Sequence, residues 1–229
     1  MTVPERLSAL RQEMRAQDLS LYLIPTSDFH GSEYVGDYFK CRSYISGFTG
    51  SAGTLLVGLD SAGLWTDGRY FLQAGQQLSG SGITLFKMGE PGVPELMDYI
   101  VQQLPQGGRL GFDGRTLDTG FVRKLEQRLA EKGGVLCPVL DLAGAVWPDR
   151  PSLSCRPAWE LDLTYAGESR QDKLTRVRSA MEQAGAQQLL VTALDEIAWL
   201  LNIRGDDVEC NPVVLSYALV TNSGVELFA

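Results

Sequence analysis

Apolar residues recur along this chain in short blocks whose spacing alternates between helical and extended periods. Leu7, Leu10 and Met14 fall at i, i+3 and i+7, which predicts a helix over 4–16 with Pro4 in its first turn. Leu21-Tyr22-Leu23-Ile24 is a continuous apolar run ended by Pro25 and reads as a buried strand. Residues 54–59 and 63–66 read as an antiparallel hairpin around Asp60-Ser61. Asp67-Gly68 then turns the chain into a helix with Phe71, Ala74 and Leu78 on one face. A strand over 83–86 follows, then a helix opened by Pro94 that carries Leu96, Ile100 and Leu104. Leu110-Gly111-Phe112 is a short strand, and Asp118 caps a helix that turns Phe121, Leu125 and Leu129 inward. Residues 135–139 close the series as a strand. Alternating strands and helices predict an α/β layered domain, and the hairpin makes its sheet mixed.

The rhythm breaks at Pro148, Pro151 and Pro157, which predict a stiff, extended connector over 148–164. After it the opening pattern returns. Arg6 to Met14 matches Lys173 to Met181 without a gap, and in the same frame Leu23-Ile24 falls on Leu190-Val191 and Asp28 on Asp195. With a small shift, Leu56-Val57 and Ala62-Gly63-Leu64 correspond to Leu219-Val220 and Ser223-Gly224-Val225. The expected organisation is a first domain over 1–147, a linker over 148–164 and an incomplete second copy over 165–229. A half-built α/β unit leaves apolar surface in water at about 25 cal/mol per Å². The expectation is therefore a piece of a longer protein, with a sheet finished by another chain as the alternative.

Composition removes several chemistries. The 229 residues are 44% hydrophobic and 21% charged, an ordinary globular balance. A net charge of -8 argues against a nucleic-acid backbone or an anionic membrane as partner. The first ten residues lack the basic and apolar regions of a secretory signal, and no apolar run has membrane-spanning length. Cys41, Cys137, Cys155 and Cys210 are widely spaced and read as reduced thiols of a cytoplasmic protein. A single histidine, His30, excludes a zinc site built on two histidines of one helix.

The candidate chemistry is sparse. Gly47-Phe48-Thr49-Gly50-Ser51-Ala52-Gly53 is glycine-rich, but its spacing and its place before a strand do not match a dinucleotide fingerprint. Its glycines read as tight turns and close packing. Arg69 emerges at the end of a strand, where α/β folds place ligand-binding residues, and its guanidinium can hold a carboxylate or carbonyl. The competing reading has Arg69 fix the turn by pairing with Asp67. His30 and Glu33 read as loop-fixing residues, with a shared proton as the alternative. Asp195-Glu196 suit a helix start, Asp206-Asp207 a helix-terminating turn, and Trp159 and Trp199 packing.

Five strings carry a family resemblance: His30–Tyr34 (HGSEY), Ile45–Thr54 (ISGFTGSAGT), Leu64–Ala74 (LWTDGRYFLQA), Trp147–Pro151 (WPDRP), and Thr192–Gly205 (TALDEIAWLLNIRG) with Asn211-Pro212. In this order they resemble the N-terminal part of three-domain Xaa-Pro aminopeptidases of the cytosolic aminopeptidase P type. The resemblance implies a three-layer α/β/α fold with a mixed sheet, the creatinase/prolidase N-terminal domain of ribonuclease-H-like motif, followed by a partial second copy. It implies a parent hydrolase that removes an N-terminal residue preceding proline, using two divalent metal ions, usually manganese, in a C-terminal creatinase-type domain. That catalytic domain is absent here, so the chain is expected to hold no catalytic residue, no metal and no cofactor, and to be inactive alone. Arg69 is the position implied to reach substrate. The family often has Asp where this chain has Thr49. The implied partners are a peptide with proline in second place, the missing catalytic domain and a second copy in a homodimer; nucleic acid and membrane are not among them. A metal-free peptide- or protein-binding module is the alternative function.

Overall fold

The computed structural model describes residues 1–138 and 141–229. They form two compact units: Met1–Glu33 with Tyr38–Pro151, and Ser152–Ala229 with Tyr34–Asp37.

In the first unit, helix α1 (Val3–Ala16) begins at Thr2, whose hydroxyl accepts the Glu5 amide while the Glu5 carboxylate accepts the Thr2 amide at 2.7 Å. The predicted stripe of Leu7, Leu10 and Met14 is buried. Strand β1 (Leu21–Pro25) and helix α2 (Cys41–Ser46) follow, then the hairpin of β2 (Thr54–Gly58) and β3 (Ala62–Thr66). A single 3-10 turn over Gly68–Tyr70 leads into α3 (Phe71–Gln77), which is shorter than the spacing suggested. The remaining elements are β4 (Thr84–Lys87), α4 (Leu96–Gln103), β5 (Arg109–Phe112), α5 (Thr119–Leu129), β6 (Val135–Cys137) and α6 (Leu142–Ala145). Asp118 caps α5 as expected, accepting the Phe121 amide at 2.9 Å. Val139, the last residue of the expected final strand, lies outside the described residues.

The sheet runs β4-β3-β2-β1-β5-β6, with β2 antiparallel to both neighbours and the other adjacent pairs parallel. Strand alternation sends Tyr22, Ile24, Leu55, Val57 and Leu64 to one face, where they meet Leu7, Leu10, Ile45, Ala74 and Leu142. Leu21, Leu23, Leu56, Trp65 and Phe112 point the other way, against Ile100, Leu104, Leu125 and Leu129. The result is three layers and a mixed, mainly parallel sheet. Because β1, β3, β4, β5 and β6 share one direction, their carboxyl ends line a single edge.

The second unit repeats the opening of the first, down to single hydrogen bonds. It contains β7 (Trp159–Glu160), α7 (Leu163–Ala166), α8 (Arg170–Gln183), β8 (Gln188–Val191), α9 (Leu194–Leu201), β9 (Ile203–Arg204), β10 (Tyr217–Thr221) and β11 (Val225–Phe228). Helix α8 has the 14 residues of α1, and Ser169 caps it by accepting the Asp172 amide, as Thr2 does for Glu5. Arg11 donates from Nε to Gly58 O at 2.9 Å, and Arg178 donates from Nε to Thr221 O at 2.9 Å. Leu23 faces Leu56 across β1 and β2 as Leu190 faces Leu219 across β8 and β10. Helices α2 and α9 both end on a left-handed residue, Gly47 and Asn202.

One correspondence expected from sequence is corrected by this register. Val57 pairs with Ala62 and Val220 with Val225, so Ala62 matches Val225 and not Ser223. The slip is two residues, which preserves the strand face and is therefore invisible to hydrophobic patterning. Of the two tryptophans expected to pack, Trp199 has the Lys173 ammonium at 4.6 Å from its ring centroid, and both are nearly half exposed.

Candidate functional site at the carboxyl edge of the first sheet

The carboxyl ends of β1, β3 and β5 each carry an aspartate that organises the next loop. After β1, Asp28 is buried and its Oδ1 accepts the amides of His30 (2.8 Å) and Ser32 (2.9 Å). The HGSEY loop is thus shaped from below by Asp28; His30 is half-buried and Glu33 exposed.

After β3, Asp67 accepts the Arg69 amide at 3.0 Å, which sets the turn. The Arg69 side chain folds back onto the same carboxylate, Nε to Oδ1 at 2.9 Å and Nη2 to Oδ2 at 2.9 Å. This bidentate hydrogen bonding holds the Asp67 carboxyl below the usual range and raises the Arg69 guanidinium above its own. The Arg69 side chain is 62% exposed, and among the described residues nothing bonds its Nη1. The turn-fixing reading of Arg69 has its structural counterpart, and the remaining edge of the guanidinium faces solvent.

The glycine loop supports this turn. Ser51 Oγ and Tyr70 Oη are 2.6 Å apart, and Phe48 meets the Tyr70 ring edge-on. A Cβ at Gly50 would lie 2.3 Å from Phe48 Cζ and 2.7 Å from the Tyr70 ring, so only glycine allows the packing. The loop serves close approach, as expected. Thr49 is tied to Gln73 and Gln77, whose side-chain amides donate to its hydroxyl at 3.0 and 2.9 Å.

Arg42, which carried no sequence signal, holds the loop from inside. It is 3% exposed, donates to the carbonyls of Phe48 and Gly50, and donates from Nε to Thr26 Oγ1 at 3.0 Å. Burial pushes the guanidinium down to about 10, so it remains charged at neutral pH.

After β5 the same three residue types recur. Asp113-Gly114-Arg115 repeats the Asp67-Gly68-Arg69 geometry, with the Arg115 amide at 3.1 Å and Nε at 2.9 Å from Asp113 Oδ1 and Nη2 at 2.8 Å from Oδ2. The surroundings differ. Arg115 lies over the Phe29 ring and near Asp141, which also accepts from Arg150 at 2.5 Å. Arg115 belongs to a balanced cluster of two acids and two bases, whereas the Arg69 pair stands apart. The repeated Asp-Gly-Arg was the sequence signal for this second turn, and the strand before each copy was the missing context.

The acidic pairs of the second unit do not join a site. Asp195 and Glu196 lie in the first turn of α9, as expected. Asp206 and Asp207 follow β9; Asn202, not these acids, ends the helix, since a left-handed C-cap already satisfies its last carbonyls. Asp207 instead accepts the Leu215 amide at 2.8 Å within its loop. Among the described residues no group of three or more His, Cys, Asp or Glu could hold a metal ion, and no helix is long and apolar enough to cross a membrane. All four cysteines are free thiols.

Comparison with known proteins agrees with this architecture. Two family models, both described as the creatinase/prolidase N-terminal domain, match residues 6–143 and 149–229. A probable Xaa-Pro aminopeptidase P from Laccaria bicolor is 41% identical over 226 residues, 98% of this chain and 35% of its own length. Aminopeptidase P2 of Arabidopsis thaliana is 40% identical over 100% of this chain and 33% of its own. The crystal structure of X-prolyl aminopeptidase from Caenorhabditis elegans, described as a cytosolic enzyme with a di-nuclear active site, superposes with a TM-score of 0.91 at 34% identity, covering 100% of this chain and 39% of that one. The chain thus spans about a third of the length of the relatives it matches. It belongs to the creatinase/prolidase N-terminal domain family.

Proposed function

We propose that this chain is the N-terminal, non-catalytic part of a metal-dependent Xaa-Pro aminopeptidase, a hydrolase that removes an N-terminal residue preceding proline. The observation that carries the reading is similarity along almost the whole chain to proteins named for that activity, of which it spans a third. The proposed domains are a first one over 1–147 and an incomplete second copy over 165–229, with a linker over 148–164 whose last part, from β7 (Trp159–Glu160) onward, packs with the second unit. Cytoplasmic location and dimerisation through the catalytic part belong to the same proposal.

The side chains present here do not fit a pair of metal ions. The carboxylates of Asp67, Asp113 and Asp141 are held by Arg69, Arg115 and Arg150. Asp28 accepts two amides through Oδ1 and leaves its buried Oδ2 without a hydrogen bond, but among the described residues no cluster of three or more His, Cys, Asp or Glu side chains surrounds it. The ions, manganese in this reading, are assigned to the part of the longer protein outside the chain. What the chain supplies is a wall of the substrate site. Proline lacks an N–H, so a substrate at that position offers carbonyl acceptors without the matching donor. A guanidinium has donors only, and Arg69 turns its free Nη1 edge outward to meet such an acceptor. Asp67 acts as a positioning residue that keeps the guanidinium fork in one orientation.

Two measurements test this. The 229-residue chain should cleave no Xaa-Pro peptide even with added manganese, and metal-dependent turnover by the pure chain would refute the assignment. In the longer enzyme, Arg69→Ala should lower kcat/KM about tenfold, and unchanged kinetics across several peptide lengths would remove Arg69 from the site.

A further inference from the structure

Four carbonyls of the glycine loop are taken by side chains of three other segments. Arg42 of α2 donates to Phe48 O and Gly50 O, and its guanidinium lies 4.7 Å from the centre of the Phe48 ring. Thr66, fully buried at the end of β3, donates from Oγ1 to Ala52 O at 2.7 Å. Thr26, just past β1, donates from Oγ1 to Gly53 O at 2.8 Å and accepts Arg42 Nε and Nη2 at 3.0 and 2.9 Å. The side chains of the loop reach the next segment in turn. Thr49 takes the amides of Gln73 and Gln77 on α3, and Ser51 Oγ lies 2.6 Å from Tyr70 Oη. The Arg69 guanidinium sits over that same Tyr70 ring, 5.3 Å from its centre. A chain of fixed contacts thus runs from a cation buried beneath the loop to a guanidinium at the surface.

The second Asp-Gly-Arg turn shows what the first lacks. Arg115 is held by Asp113 and also by Asp141 at 3.4 Å, and it lies 4.6 Å from the centre of the Phe29 ring. Among the described residues Arg69 bonds to Asp67 alone. Two bonds to one exposed carboxylate fix the fork relative to Asp67 but leave the pair free to swing and open. The Tyr70 ring limits that swing by cation–π attraction, and only while the ring itself is fixed. Ser51, the edge-on Phe48 ring and the missing Cβ of Gly50 fix it. We propose that Arg42 is a positioning residue for Arg69: it acts through the glycine loop, Ser51 and the Tyr70 ring to hold the outer guanidinium edge in one orientation. A guanidinium that is already ordered loses less freedom when an acceptor docks, so the effect appears as tighter binding. The link to peptide binding rests on the reading of Arg69 as a wall of the substrate site; the mechanical coupling does not.

The coupling is measured first in the 229-residue chain, by NMR of the Arg69 Nε–H group. Its exchange with water should quicken at least about threefold in Ser51→Ala, in Tyr70→Phe and in Arg42→Met. Ser51→Ala and Tyr70→Phe delete one hydrogen bond between two half-buried groups, so they decide the matter even where Arg42→Met fails to fold. Thr2→Ala, which weakens the same unit at its first helix cap, should leave this exchange unchanged. In the longer enzyme, Ser51→Ala should raise KM for an Xaa-Pro peptide about threefold with kcat within about twofold. In an Arg69→Ala background the same substitution should change neither constant. Arg69 exchange that none of the three variants alters would overturn the proposal. So would a Ser51→Ala loss that persists in full without the Arg69 side chain, since the loop would then act by another route. Arg69→Ala kinetics equal to the parent's, with the exchange effect intact, would remove only the substrate role of Arg69 and leave the coupling standing.

Discussion

The two units share helix, cap, strand register and hairpin, yet they differ beneath the glycine loop that supports the Arg69 turn. Arg6 donates to Tyr44 O and lies over the Tyr44 ring; in the counterpart, Lys173 donates to Trp199 O and lies beside the Trp199 ring. This match carries α2 onto α9 and sets Arg42 against Ile197. The first unit buries a cation there, and the second buries a hydrocarbon. Burying an unpaired guanidinium is costly unless its donors are satisfied. Its acceptors are the carbonyls of the glycine loop, so the cost is offset only where that loop is held in one shape. The scaffold common to both copies is therefore about folding, and the Arg42–loop–Arg69 arrangement is what the first copy adds to it.

The largest test of this contrast lies in the cores. Trp65→Ala should destabilise the first unit by about 3–5 kcal/mol, while Phe228→Ala, at the register position matching Trp65 but half exposed, should stay within about 0.5 kcal/mol in the 229-residue chain. Urea unfolding resolved by hydrogen exchange in each unit measures both, and equal losses would break the comparison. Next comes the buried cation. Arg42→Met leaves two loop carbonyls without donors and should cost about 2–3 kcal/mol, with faster exchange across residues 47–53. Ile197→Val at the matching position should cost only about 0.5–1.5 kcal/mol. Smaller again are the helix caps. Thr2→Ala and Ser169→Ala should each cost about 1 kcal/mol, and a large inequality between them would show that the duplicated ends do not do the same job.

The smallest expected effect separates Cys41 from its exposed counterpart Glu196. Burial pushes the Cys41 thiol from 9.0 up to about 12. A raised thiol favours the folded state while it is protonated. That contribution is complete below pH 9 and is lost as the pH rises toward 12. Alkylation at pH 8 should therefore reach the exposed Cys155 and Cys210 well before Cys41, and mass spectrometry of the modified peptides reads the order. Simultaneous labelling would contradict the burial of Cys41.

Most helices and strands were legible because their apolar spacing reports a local period. The repeat was legible for the same reason, since Leu7, Leu10 and Met14 recur as Leu174, Val177 and Met181. The two-residue shift of the second hairpin was not, because both registers put the same residues on the same face. Nor was the exposure of Trp199, because helical spacing cannot say whether a neighbouring layer covers that side. For the candidate site, Arg69 stood out by its place after a strand and by its family string. Arg42 did not, because nothing in a lone arginine among polar and aromatic neighbours announces that it will be buried.

What the sequence by itself determined is whatever neighbours in the chain decide: element type, caps, turns, the duplication and the absence of second histidines or paired cysteines. The tertiary structure alone decided which strands lie side by side, which aspartates share a sheet edge, and which arginine is sealed beneath the loop and which is left facing water. The physical reason is range. Backbone periodicity and capping act over three or four residues, whereas the desolvation of Arg42 and the exposure of the Arg69 edge depend on groups tens of residues away that only the packed fold brings near.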